Sequence, residues 1–108
     1  YPLSGRGKLI SLEKSQNGRK VRWGKTSFFL PDRLIDDLLN NYFKEDGKWY
    51  PLGASMTNPA KGGLGEYLAK NYKNFTPRHA SAIAAIMVRD NLLEFRGKKP
   101  IELKKKEK

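Results

Sequence analysis

The chain has no cysteine and a single histidine, and those two shortages remove whole classes of chemistry. Without thiols there is no disulfide framework and no thiolate metal site. One imidazole, at position 79, cannot supply a histidine-rich zinc set, and neither a Cys/His pair nor a Ser/His/Asp triad is expected around it. Long apolar runs are also missing. The longest is AIAAIMV, Ala82–Val88, far too short to span a bilayer. No long apolar region follows Arg6 and Lys8, so no signal peptide is read and a cytoplasmic or nuclear location is expected. The first residue is Tyr1 rather than Met, which gives the expectation of a module from a longer polypeptide, with any catalytic centre elsewhere.

Acidic residues are scarce as well: 11 Asp and Glu stand against 22 Lys and Arg, for a net charge of +11. The excess is unevenly placed. Residues 1–30 carry seven basic and one acidic side chain, net +6, whereas residues 31–60 carry three and five, net −2. Residues 61–108 carry twelve and five, net +7. Two basic ends around an acidic middle imply a polyanionic partner, because each phosphate neutralised releases counterions and adds affinity without regard to sequence. A length of 108 residues suits a single soluble domain, and 8–104 is the expected extent, with 1–7 a linker or edge and 105–108 a basic tail.

What is present reads as α+β. Asn17-Gly18 is a hairpin-turn pair, and centring a turn on it sets Leu12 against Trp23, Glu13 against Arg22 and Lys14 against Val21. One face of the hairpin then gathers Ile10, Leu12, Val21 and Trp23, and the other gathers Ser11, Glu13, Ser15, Lys20, Arg22, Gly24 and Thr26. The second strand is expected to run from Arg19 to Leu30 without a break. Pro31 opens an amphipathic helix over 31–44, whose apolar stripe is Leu34, Ile35, Leu38, Leu39, Tyr42 and Phe43. Asp36 and Asp37 fall off that stripe and read as solvated. Lys61-Gly62-Gly63 precedes a short helix over 64–73 with Leu64, Tyr67, Leu68 and Tyr72 buried, and its backbone N–H groups are a candidate phosphate contact.

Asn74-Phe75-Thr76 reads as a tight turn, with Thr76 capping a third helix that begins at Pro77 and ends near Asn91. Ala80, Ile83, Ala84, Met87, Val88 and Asn91 lie within about 60° of one line at roughly 100° per residue. Arg78, Ala82, Ala85 and Arg89 take the opposite, exposed face. Two extended pieces, Leu92–Phe95 and Pro100–Leu103, then bracket the basic turn Arg96-Gly97-Lys98-Lys99. Helix, turn, helix and basic hairpin together make a winged-helix-like pattern.

The function expected from these features is non-catalytic nucleic-acid binding, duplex DNA favoured over RNA, without a cofactor, metal or membrane. The candidate contacts are Arg19, Lys20, Arg22, Lys25, Arg78, Arg89, Arg96, Lys98 and Lys99. One alternative is a protein-interaction or scaffold domain that docks a partner on the Ala82/Ala85 strip. Another is a metal-dependent nuclease fragment, since Asp90, Glu102 and Lys104 match a D…ExK spacing in which two carboxylates hold Mg²⁺ and the lysine orients water.

Overall fold

The computed structural model describes residues 10–97 and 101–106. It is an α+β architecture with two antiparallel three-stranded sheets. The first is a meander of β1 (Ile10–Ser15), β2 (Gly18–Trp23) and β3 (Thr26–Pro31). Helix α1 (Asp32–Asp37) follows directly and passes into a π-helical turn, Leu38–Tyr42, closed by Phe43 N–H on Leu38 O at 2.7 Å. Strand β4 (Tyr50–Pro51) precedes helices α2 (Leu64–Asn71) and α3 (His79–Arg89), and β5 (Leu93–Arg96) and β6 (Glu102–Lys105) end the described chain. The second sheet has the order β4-β6-β5.

The first hairpin divides its faces as its alternation demands: Val21 and Trp23 are buried, Ile10 and Leu12 partly so, and Lys20 and Arg22 exposed. The register is corrected by two residues. Leu12 pairs with Val21, Glu13 with Lys20 and Lys14 with Arg19, so Gln16 and Asn17 form the turn and Asn17 takes φ 62°. Gly18 is not a turn residue. A Cβ there would lie 2.5 Å from Leu30 O and 2.6 Å from Phe29 Cζ, so it is glycine because β3 passes close beside it. The expected unbroken strand over 19–30 is likewise two strands, split at Gly24-Lys25 where Gly24 takes φ 60°.

Helix α1 starts at Asp32, with Pro31 extended as its N-cap, and its first amide donates to Asn17 O at 2.9 Å. The apolar stripe is as expected, with Leu34, Ile35, Leu38, Tyr42 and Phe43 buried and Leu39 partly so. Asp37 departs from expectation. Its carboxylate accepts hydrogen bonds from Tyr72 Oη, Tyr67 Oη at 3.0 Å and Asn41 Nδ2 at 2.6 Å, joining α1 to α2 and the segment after it. The Tyr72 hydrogen bond is the main influence holding the Asp37 carboxyl below its ordinary value, while burial raises both phenols.

The third helix is shorter than expected. Thr76 does not cap an α-helix at Pro77; three i→i+3 hydrogen bonds lead in, and α3 begins at His79. The His79 ring instead ties down the lead-in turn, its Nδ1 accepting the Thr76 N–H at 3.0 Å. At the other end Asn91 takes φ 63°, Leu92 N–H reaches Met87 O and Asn91 N–H reaches Val88 O, which makes a Schellman stop. Asn91 is therefore exposed rather than on the buried face.

Every residue of α3 from Ala82 to Met87 is buried, with Ala82 at 0% and Ala85 at 7% exposure. The expected exposed alanine strip is thus a second packing face. The inner face of the first sheet covers it: Trp23 meets His79 near the helix start, Ile10 and Leu12 line a ≈ 60 Å³ open pocket with Ala85, Ile86 and Arg89, and Arg19 meets Asp90 at the end. Helix α2 and strand β5 contact α3 as well. A helix apolar all round belongs between layers, and small alanines let the sheet lie close.

Residues 1–9 and Lys98, Lys99, Pro100, Glu107 and Lys108 lie outside the described residues, so the expected linker over 1–7 is among them. Lys105, expected in a tail, is the last residue of β6, and Lys106 N–H donates to Leu92 O at 3.0 Å. No helix among the described residues is long and apolar enough to cross a membrane.

Candidate nucleic-acid interface

Cross-strand pairing decides which side chains share the outer face of the first sheet. One row is Ser11, Arg22 and Ser27, and the next is Glu13, Lys20 and Phe29. All six are exposed, and Phe29 keeps 43% of its surface accessible. Lys25 stands at the β2–β3 turn beside this face. None of Lys20, Arg22 and Lys25 has a carboxylate partner among the described residues, although Glu13 is directly across from Lys20. Two cations, two hydroxyls and an aromatic ring therefore share one open face. Cations and hydroxyls of this kind reach phosphate oxygens, and an exposed ring offers a stacking surface to a base.

The other expected contacts are placed differently. Arg19 points to the inner face and pairs with Asp90 at 2.8 Å, tying β2 to the end of α3. Arg78 is exposed at the start of α3, with its guanidinium 5.7 Å from the Trp23 ring centroid. Trp23 itself is buried, on the inner face that its alternation with Val21 demanded. Arg89 is exposed at the far end of α3, beside Ile10 and Leu12. Arg96 is held by Glu102 at 2.9 Å and lies 4.2 Å from the Trp49 ring centroid. Lys104 flanks the same ring at 5.0 Å and pairs with Glu94 at 3.3 Å. The second sheet thus spends its outer-face cations on its own carboxylates and on Trp49. Arg96 is no free wing-tip cation, and Lys98 and Lys99 lie outside the described residues.

The glycine-rich start of α2 is already occupied. Gly62 N–H donates to Glu66 Oε1 at 3.2 Å, Gly63 N–H to Ala60 O and Gly65 N–H to Leu52 O. A Cβ at Gly65 would lie 2.1 Å from Gly53 O, so this glycine serves a backbone crossing and not a phosphate cradle. The D…ExK residues are also committed: Asp90 to Arg19, Glu102 to Arg96 and Lys104 to Glu94. No cluster of three His, Asp or Glu suited to a metal exists among the described residues. Burial of Ala82 and Ala85 likewise closes the strip on which a partner helix was to dock.

Beside the edge strand β3 an open cleft of ≈ 970 Å³ runs between the first sheet, the start of α1 and the α2–α3 turn. Phe28, Tyr72, Phe75 and His79 form one aromatic group on its wall: Phe28 meets Phe75 edge-on at 5.7 Å and His79 at 4.9 Å, and Tyr72 meets Phe75 at 6.1 Å. Burial holds the His79 imidazole below its ordinary value, and the positive charge of Arg78 acts in the same direction. Sequence reasoning missed this cleft and Phe29. The signal for Phe29 was present in the Phe28-Phe29 pair, since adjacent residues of one strand must face opposite ways. In comparison with known proteins, no family model matches the chain, and no match is found among curated proteins or solved structures.

Proposed function

We propose that the chain is a non-catalytic nucleic-acid-binding module of a longer polypeptide, and that its binding surface is the outer face of the first sheet. The observation that carries this reading is the juxtaposition of Lys20, Arg22 and exposed Phe29 on one open face, with Lys25 at its margin and no carboxylate pairing any of the three cations among the described residues. The chain keeps the succession helix, turn, helix, hairpin that suggested a winged helix. With Ala82 and Ala85 covered, the middle of α3 is closed to a major groove and only its ends stay exposed, which favours the sheet over a recognition-helix mode. A cytoplasmic or nuclear location goes with this reading.

The test is fluorescence anisotropy with labelled DNA and RNA across a salt series. Log affinity should fall linearly with log salt, by about 0.7–0.9 per phosphate neutralised. The double variant Lys20→Glu/Arg22→Glu should weaken binding about ten-fold or more at low salt. Salt-independent affinity, or none for any strand or duplex at low salt, would overturn the proposal.

A further inference from the structure

We infer that the cleft beside β3 receives an unpaired base from a single strand lying on the sheet face. This rests on the nucleic-acid reading above and narrows its ligand to unpaired strands. Phe29 links the two surfaces, because it stands on the outer face in the row of Lys20 and also lines the cleft. A strand whose phosphates lie along Arg22 and Lys20 and whose base stacks on Phe29 is led into the cleft by its next nucleotide. A duplex offers no base plane to Phe29 and no base to the cleft; an unpaired strand offers both.

The lining suits such an occupant. Aromatic walls take the flat faces of a base, and the amides of Asn17 and Asn74 are exposed with no hydrogen bond to the described residues, so they can read its polar edge. Arg33 and Lys73, both exposed and without carboxylate partners among the described residues, add cations to the lining where a phosphate would follow. The walls are set in advance. Asp37 anchors the Tyr72 hydroxyl, and the Thr76 N–H fixes the His79 ring through Nδ1. A volume of ≈ 970 Å³ lies at the upper end of small-ligand sites and accommodates a base with its sugar and phosphate.

The experiment titrates the full chain with single strands of ~10 nucleotides, matched duplexes of the same length, and free thymidine monophosphate. The cleft variant is Lys73→Ala/Asn74→Ala, whose side chains are exposed and make no ion pair or hydrogen bond with the described residues. The expected result is tighter binding of the single strand than of the duplex. The cleft variant should lose about five-fold or more for the strand and leave the duplex unchanged, and Phe29→Ala should lose a similar factor for the strand alone. Lys20→Glu/Arg22→Glu should weaken both. Equal affinity for strand and duplex, or a strand affinity indifferent to the cleft variant, overturns the inference while binding that still depends on Lys20 and Arg22 leaves the sheet-face proposal standing. No binding of any nucleic acid overturns both. Thymidine monophosphate binding as tightly as the strand assigns the cleft to free nucleotides and overturns the strand.

Discussion

The two sheets are built alike and use charge in opposite ways. Each is antiparallel and three-stranded, and each carries cations and an aromatic ring on its outer face. In the second sheet Arg96 and Lys104 flank Trp49 and are answered by Glu102 and Glu94. In the first, Lys20 and Arg22 flank no tryptophan, have no ion pair among the described residues, and share their face with a ring that is 43% exposed. Basic residues alone do not make a binding surface; what matters is whether the fold has already satisfied them. A cation held by its own carboxylate must break that pair to take a phosphate, whereas an unpaired one gives up only water and counterions.

Four changes would break or sharpen that contrast. The largest effect belongs to Gly18→Ala, which drives a Cβ into Leu30 O and the Phe29 ring and should cost about 2–3 kcal/mol in chemical denaturation. It should also displace Phe29 and with it the proposed binding face. Next is Trp49→Ala, which removes a half-buried ring from between two cations and should cost about 1–2 kcal/mol with nucleic-acid affinity nearly unchanged. Arg96→Gln should cost about 0.5 kcal/mol or less, because the Arg96–Glu102 pair is solvent-exposed, and should leave the salt slope of binding as it was. An Arg96→Gln effect as large as that of Arg22→Gln would mean that both sheets bind.

The smallest effect is one of pH. His79 titrates below its ordinary 6.5 in the folded protein because burial disfavours its charged form. Between those two values the unfolded chain takes up the proton first, so stability is complete above about pH 6.5 and declines as pH falls through the folded value. Denaturation midpoints measured from about pH 7.5 down to about pH 5 should show this decline, and His79→Gln should flatten it.

Much of this was legible in the sequence, and the losses have physical reasons. The faces of β1 and β2 followed from alternation, yet a two-residue slip preserves every face, so alternation could not choose between registers. Asn17-Gly18 suggested a turn centre because glycine usually marks freedom of backbone; here it marks the close passage of β3, a contact set by tertiary structure. Alanines at 82 and 85 fit an exposed helix face or a tight interlayer contact equally well, and their identity alone carries no preference. Lys20, Arg22 and Lys25 were found by charge, but which cations stay free depended on where Glu94, Glu102 and Asp90 came to rest. The cleft escaped because its walls come from β3, α1 and the α2–α3 turn, which no local pattern joins.

The order β4-β6-β5 has a consequence for how the chain is made. All three strands of the first sheet have left the ribosome once Pro31 has emerged, and they pair in sequence order, β1 with β2 and β2 with β3. The central strand of the second sheet, Glu102–Lys105, is the last element among the described residues, and Tyr50 and Phe95 lack their common partner Leu103 until it arrives. Synthesis from the N-terminus therefore completes the face with unpaired cations first and the self-neutralised sheet last. Stopping translation short of Glu102 leaves β4 and β5 with open edges beside an already assembled first sheet.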